Sequence, residues 1–222
     1  MIKPVAIVDP AISHPSYNCM NKIVERHQIP VTYHWVSSEG VESLSFIEEP
    51  SAYIVFGSDS NVGDNLDWQI KLSALMKEKI EKGIPVLGIC FGHQLIADAY
   101  GSKIDLVVPE NKCFEGVREV EILEERFGFK KGEKVPVFIT HHYEVKELPE
   151  NFIHLGTSKD CHLDAIAHKH LPFFSFQGHP EASDKFLNDH LEVELSDEDI
   201  KRGKEGGALV IENFLKYAGV IK

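Results

Sequence analysis

One stretch of the chain, residues 84–101, constrains the fold more than any other. It begins as a short apolar run with β-branched side chains and continues as a helical segment that stops at Gly101. The bend between the two reads Gly88-x-Cys90-x-Gly92. A buried strand that turns sharply into a helix is typical of α/β proteins, in which the sheet is mainly parallel.

The bend has the spacing of a nucleophile elbow with cysteine as the nucleophile. Such a turn strains the central residue and lifts its side chain clear of the sheet. The first backbone N–H groups of the new helix, including that of Phe91, then point at any group bonded to the Cys90 sulfur. Together with the helix dipole they favour a thiolate and a developing oxyanion. A small buried cysteine at a strand end fits the motif alone equally well.

A second apolar run ends in His179, Pro180 and Glu181. Proline disfavours helical geometry at the residue before it, so His179 should be extended. Residues two apart in an extended segment point the same way, which places the imidazole beside the carboxylate. Glu181 can then hold one ring nitrogen while the other faces a thiol. A surface turn explains His-Pro-Glu alone, but with the elbow the pattern predicts a triad of Cys90, His179 and Glu181.

The rest of the chain alternates apolar strand-like runs with amphipathic helical segments. This pattern predicts an α/β fold with an open, mostly parallel sheet and helices on both faces, with ligands at the carboxyl ends of the strands. Predicted helices cover 17–27, 67–82 and 196–217, the last with Ser196 as its N-cap, and a weaker helix candidate covers 43–49. Predicted strands cover 5–8, 31–36, 52–56, 84–89, 103–108, 116–123 and 135–140. A hairpin is predicted over 152–168.

Composition narrows the class of protein. A net charge of −12 argues against non-specific binding to nucleic acid. With no apolar run long enough for a bilayer and no secretory leader, we expect a cytoplasmic protein that does not bind membranes. The length suits one α/β domain over residues 1–222.

Metal and cofactor signals are weak. The four cysteines lack CxxC spacing and indicate neither a disulfide framework nor a zinc site. His141 and His142 lack a third ligand at suitable spacing, so we expect no metal site there. No P-loop or dinucleotide fingerprint is present, and we expect no cofactor. His162, His168 and His170 are expected at the surface.

The two strand-end motifs together resemble the class I glutamine amidotransferase family. The resemblance rests on Gly88-Ile-Cys-Phe-Gly-His-Gln94 and Gly178-His-Pro-Glu181 and spans nearly the whole chain. It implies a flavodoxin-like, three-layer fold with a small antiparallel addition. It also implies that Cys90 attacks the side-chain amide of L-glutamine, that His179 is general base and then acid, and that Glu181 orients the ring.

The resemblance also implies substrate contacts. Gln94 matches a family glutamine that contacts the substrate, and backbone groups of His142 and Tyr143 would hold the glutamine α-carboxylate. Where the family usually has Gly-Gly-Pro, this chain has Gly57-Ser58-Asp59. The Ser58 N–H would join that of Phe91 in the oxyanion hole. Serine cannot adopt every glycine conformation, so the sequence leaves open whether that hole is preformed or is set by a ligand or partner.

Members of the family normally deliver ammonia to a synthetase that is a further domain or a separate chain. We expect this chain either to act alone or to work with a separate synthetase. Gly57-Ser58, Gln177-Gly178 and Asp67-Trp68 resemble the free-standing GMP-synthase-like branch, which also contains γ-glutamyl peptidases. The first hypothesis is therefore a glutaminase that releases ammonia, and the second is hydrolysis of a larger γ-glutamyl amide. The third is a non-catalytic binding protein that retains the fold.

Overall fold

The computed structural model describes residues 3–46 and 48–222, and within these ranges eleven strands and six α-helices form. The strands are β1 (Val5–Asp9), β2 (Val31–Trp35), β3 (Ala52–Val55), β4 (Val86–Ile89), β5 (Ile104–Leu106), β6 (Phe114–Ile122), β7 (Lys134–His141), β8 (Tyr143–Val145), β9 (Phe152–Thr157), β10 (Ala165–His168) and β11 (Phe173–Phe176). The helices are α1 (Tyr17–His27), α2 (Val36–Glu39), α3 (Asp67–Glu81), α4 (Phe91–Ala99), α5 (Asp184–His190) and α6 (Asp197–Tyr217).

The main sheet joins a parallel half to an antiparallel half. Across the described residues its order is β2-β1-β3-β4-β11-β10-β9-β6-β7. The pairs from β2 to β11 are parallel, and those from β11 to β7 are antiparallel. Strands β5 and β8 form a separate antiparallel ribbon. The predicted α/β class is confirmed, and the antiparallel addition extends over four strands.

Both faces of the parallel half are covered by helices, as predicted. On β1, Val5 and Ile7 lie in the apolar cluster that includes α1 and α6, whereas Ala6 and Val8 lie in the cluster that includes α3 and α4. All four side chains are fully buried. A strand buried on both faces is apolar without alternation, which explains why the sequence of β1 reads as a continuous run.

The helix predicted over 43–49 is wrong. A 3₁₀ helix covers Val41–Phe46 instead, residue 47 lies outside the described residues, and residues 48–50 have no regular structure. Two local features explain the short element. Gly40 precedes it with φ of 84°, and Pro50 follows, which disfavours helical geometry just before it.

The surface position predicted for His168 is also wrong, whereas His162 and His170 are exposed. His168 is only 7% exposed, and its ring lies 5.0 Å from that of Phe152. Its Nδ1 accepts hydrogen bonds from the backbone N–H groups of His170 and Leu171, at 3.1 and 2.9 Å. The ring therefore closes the turn after β10. Burial lowers the pKa of His168, which favours the neutral ring that can accept these bonds.

None of the helices in the described ranges is long and apolar enough to cross a membrane.

Candidate active site

Cys90 lies on a strained turn between β4 and α4. Its φ of 49° and ψ of −102° are rare for a residue with a side chain. The turn is anchored on both sides, because the Cys90 N–H donates to the Phe176 carbonyl at 2.9 Å and the Cys90 carbonyl accepts from the Gln94 N–H at 3.0 Å. The predicted strand-turn-helix geometry is present.

The two glycines of the elbow are required by close packing. A Cβ on Gly88 would lie 2.8 Å from the carbonyl oxygen of Gly92. A Cβ on Gly92 would lie 2.5 Å from the carbonyl oxygen of Val55. Only glycine lets the helix begin this close to β3 and β4.

His179 is extended, as predicted from the proline that follows it. Its N–H donates to the Phe138 carbonyl at 2.7 Å, which ties it to β7. Its Nδ1 lies 2.9 Å from Glu181 Oε1, and the two residues are 3% and 2% exposed. The predicted contact is present, but a turn makes it and not an extended segment: residues 180 and 181 are in a turn, and the His179 carbonyl accepts from the Ala182 N–H at 3.3 Å.

The other ring nitrogen of His179 is left for the thiol. A Cβ at Gly57 would meet both the His179 Cε1, at 2.7 Å, and the Cys90 Cβ, at 3.5 Å, so ring and thiol flank one backbone position. Burial lowers the pKa of His179, but the charges of Cys90 and Glu181 and the hydrogen bond to Glu181 raise it by more. The net pKa lies well above the usual range, which favours a protonated ring between the two groups.

These side chains meet at a cavity of about 1130 Å³. The structure brings together nearly all the residues that the sequence assigned to the site, and Glu181 lies behind the His179 ring. The predicted residues that line the cavity are Gly57, Ser58, Cys90, Phe91, Gln94, His142, Tyr143 and His179.

The loop predicted to supply the oxyanion hole is held in place by Ser58. Its hydroxyl donates to the Pro10 carbonyl at 2.7 Å and accepts from the Ser60 N–H at 3.1 Å. Within the described part of the chain, the backbone N–H groups of Ser58 and Phe91 donate to no acceptor. Both are therefore available to a negatively charged oxygen.

The residues predicted to hold the rest of the substrate differ in exposure. His142 is exposed, with Nδ1 3.0 Å from the Asn111 carbonyl, and its own carbonyl accepts from the Val107 N–H. Gln94 is buried, and its Nε2 donates to the carbonyl of Tyr143 at 2.8 Å. The side-chain amide of Gln94 therefore holds the Tyr143 segment against α4.

Sequence reasoning missed Gln177 and helix α5. Gln177 is fully buried, and its Nε2 lies 3.6 Å from the Cys90 sulfur. Helix α5 lines the cavity, and the ring of its Phe186 lies 4.7 Å from that of His179. No local signal identifies Gln177, because residues 177 and 178 form a bend after β11 and the place of Gln177 beside Cys90 is set by the pairing of β11 with β4.

His141 lines the cavity and belongs to a buried polar cluster. Arg118 pairs with Asp164 through Nε at 2.7 Å and Nη2 at 3.0 Å, and its Nη1 lies 3.1 Å from His141 Nε2. Burial and the charge of Arg118 lower the pKa of His141 to about 3. No group of three or more His, Cys, Asp or Glu side chains in 3–46 and 48–222 is arranged to hold a metal ion.

The fold and this site define an α/β protein with a cysteine, histidine and carboxylate constellation at the carboxyl edge of its parallel strands. The model of the glutamine amidotransferase class-I family matches residues 11–192. The chain therefore belongs to the class I glutamine amidotransferase family.

Comparisons with individual proteins agree with this family. The chain is 35% identical over 152 residues to the glutamine-hydrolyzing GMP synthase subunit of Pyrococcus abyssi, and the match covers 68% of this chain and 79% of the relative. It is 29% identical over 188 residues to the corresponding protein of Pyrococcus furiosus, covering 84% and 88%. The crystal structure of a glutamine amidotransferase from Thermotoga maritima superposes with a TM-score of 0.77 over 97% of this chain and 98% of that one, at 18% identity, and supports the fold.

Proposed function

We propose that this chain is a thiol-dependent enzyme that hydrolyses the side-chain amide of glutamine to glutamate and ammonia through a thioester on Cys90. The observation that carries the proposal is the placement of His179 between the Cys90 elbow and Glu181, with Nδ1 2.9 Å from the carboxylate. The names of the relatives, which describe glutamine-hydrolysing proteins, support the same reaction.

The first half of the reaction forms the thioester. The Cys90 thiolate attacks the side-chain carbonyl carbon, and the N–H groups of Ser58 and Phe91 stabilise the resulting oxyanion. The imidazolium of His179 gives its Nε2 proton to the departing nitrogen, the C–N bond breaks, and ammonia leaves. Glu181 keeps the ring oriented and stabilises its charge.

The second half releases glutamate. A water molecule attacks the thioester carbon while His179 Nε2 accepts a proton from it. The C–S bond breaks and the thiolate returns beside the imidazolium. The low exposure of His179 and Glu181, 3% and 2%, limits competing water around the ring.

The amino-acid end of the substrate would lie toward the Tyr143 segment. We place the α-carboxylate against backbone groups of His142 and Tyr143, with Gln94 as a further contact. The support is that all three residues line the cavity that contains Cys90. No metal or cofactor takes part in this scheme.

The size of the cavity favours a second candidate substrate. Pockets for drug-sized ligands have volumes of roughly 300–1,000 Å³. This cavity, at about 1130 Å³, extends past Cys90 to Lys185 and His190 of α5. A γ-glutamyl amide with a larger leaving group would fit, and the same triad would cleave it.

We propose a separate ammonia-accepting synthetase, because the similar GMP synthase proteins are named as subunits. We propose further that residues 1–222 work as one amidotransferase domain. The four cysteines are unpaired, which suits a reducing compartment such as the cytoplasm.

A substrate panel separates the candidates. Glutamine and a series of γ-glutamyl peptides are incubated with the wild-type chain and with Cys90→Ser, and the release of ammonia or amine is measured. Turnover of glutamine that is lost in Cys90→Ser supports the glutaminase, and preference for a peptide supports the second candidate. Saturable binding with no turnover of any compound, alone or with a GMP-synthase-type synthetase added, would support a binding protein.

A further inference from the structure

We infer that Gln177 is a thiol-positioning residue that donates a hydrogen bond to the Cys90 sulfur and favours its thiolate. The inference rests on the proposed function, because it assigns a role only if Cys90 is the nucleophile. Gln177 has no part in the hydrolysis proposed for Cys90, His179 and Glu181.

Strand pairing places the two residues side by side. Strands β11 and β4 are parallel, with Phe176 paired to Ile89, so the next residues along each strand are Gln177 and Cys90. Gln177 is completely buried, and its Nε2 lies 3.6 Å from the Cys90 sulfur. Sulfur is larger than oxygen, and this separation suits an N–H donor to sulfur.

The hydrogen-bond network fixes which end of the Gln177 amide faces the sulfur. The Tyr143 carbonyl can only accept, so the Gln94 atom 2.8 Å from it is the NH₂ group. That same nitrogen lies 3.1 Å from the Gln177 amide, which must therefore present its oxygen. The NH₂ group of Gln177 is left for Cys90.

The Tyr143 carbonyl is itself fixed from the other side. Arg118 can only donate, so His141 Nε2, 3.1 Å away, accepts, and Nδ1 of the same ring carries the hydrogen. That Nδ1 donates to the Tyr143 carbonyl at 3.0 Å. The neutral ring agrees with the pKa of His141, which burial and Arg118 lower to about 3. The network therefore runs from a buried ion pair to the thiol.

This arrangement has a chemical consequence. A hydrogen bond to a charged acceptor is about twice as strong as one to a neutral acceptor, so the Gln177 donor stabilises the thiolate more than the thiol. The donor also restricts rotation of the Cys90 side chain, which keeps the sulfur directed at the substrate.

The pH dependence of Cys90 alkylation tests the inference. Iodoacetamide is the probe, and the rate at Cys90 is followed by peptide mass spectrometry from acid to alkaline pH. Gln177→Leu removes the donor, and we expect the midpoint of the profile to move to higher pH by about one unit. Gln177→Glu places an oxygen against the sulfur, and we expect a larger shift in the same direction.

Two further variants separate this role from a loss of packing. Ser175→Ala removes a buried hydroxyl from the same strand, where it lies 2.8 Å from His93 Nδ1, and should leave the alkylation midpoint unchanged. Gln94→Leu frees the Gln177 amide to turn and should shift the midpoint upward by a smaller amount. It serves as the test if the Gln177 variants fold poorly.

A wild-type midpoint in the folded Gln177 variants, or in Gln94→Leu if those do not fold, would overturn the inference. A shift equal to that of Ser175→Ala would do the same. Alkylation requires no glutamine, so the two proposals fail separately. If the chain hydrolyses glutamine but the alkylation midpoint of the Gln177 variants does not move, only the role inferred for Gln177 is wrong. If no hydrolysis is detected, the proposed function is wrong.

Discussion

His179 Nδ1 and Glu181 Oε1 lie 2.9 Å apart in a pocket that leaves the two residues 3% and 2% exposed. Because the carboxylate holds Nδ1, only Nε2 is free to exchange a proton with the sulfur or the substrate. The charges on both sides raise the pKa of His179 despite its burial. The protonated form of the His179 ring is therefore favoured, and the first two predictions below depend on it.

Removing the two partners of Cys90 should have unequal effects. We expect His179→Ala to lower kcat/KM for the preferred substrate by about 10³-fold or more, because proton transfer and thiolate stabilisation are lost together. Glu181→Gln should cost less, since the amide can still orient the ring. Steady-state kinetics of both variants provide the measurement. Equal losses would mean that the charge of Glu181 is as necessary for turnover as the His179 ring itself.

The charge on His179 should make stability depend on pH. The pKa of His179 in the folded chain lies well above its unfolded value of about 6.5. The contribution of the charged ring to the free energy of unfolding is therefore fully present below pH ~6.5. It is lost as the pH rises through the pKa of His179 in the folded chain. Urea unfolding at a series of pH values should show this loss in the wild type and a smaller one in His179→Ala. If the free energy of unfolding changes with pH to the same extent in both proteins, a group other than His179 causes the change.

Gly57→Ala should reduce activity while preserving the fold. The added Cβ would lie 2.7 Å from His179 Cε1, so the ring must move away from Cys90. A displacement of this kind can cost about 10²-fold in rate. Gly63→Ala is the matched control in the same loop, because its Cβ would meet only Asn61, at 3.5 Å. The kinetics and thermal unfolding of both variants are the measurement. An equal loss of activity in Gly63→Ala would mean that adding a methyl group anywhere in this loop has the effect.

A glutamine-like electrophile should label Cys90 in preference to the other three cysteines. Burial raises the pKa of Cys19 to about 12, and burial also raises the pKa of Cys113 and Cys161. Their thiolates are therefore scarce at neutral pH. Peptide mapping after treatment with such a reagent, with and without excess glutamine, measures the selectivity. Equal labelling of Cys113, which also lines the cavity, would show that access alone decides.

The long, strongly patterned elements could be predicted from the sequence. Helix α1 covers Tyr17–His27, the range that its apolar spacing predicts, and α6 begins after the predicted cap Ser196, whose hydroxyl accepts from the Asp199 N–H. The contact of His179 with Glu181 was also predicted and is local, although a turn over residues 179–182 makes it and not the extended segment that was expected. These features depend on neighbours in the sequence.

The features that could not be predicted depend on distant parts of the chain. Helix α5 is short and mostly polar, and Leu187 is its one buried side chain among the described residues. The burial of His168 follows from packing against Phe152, and the role of Gln177 follows from the pairing of β11 with β4. Such contacts are set by tertiary structure, and the local sequence pattern does not predict them.

The covalent intermediate is the most direct test of the account. The wild-type chain and Cys90→Ala are mixed with glutamine, or with the best γ-glutamyl substrate of the panel, quenched in acid during turnover, and analysed by intact-mass and peptide mass spectrometry. We predict an adduct with the mass of a γ-glutamyl group on the peptide that contains Cys90, and neither adduct nor turnover in Cys90→Ala. Turnover by Cys90→Ala at the wild-type rate, or an adduct on another residue, would contradict the account.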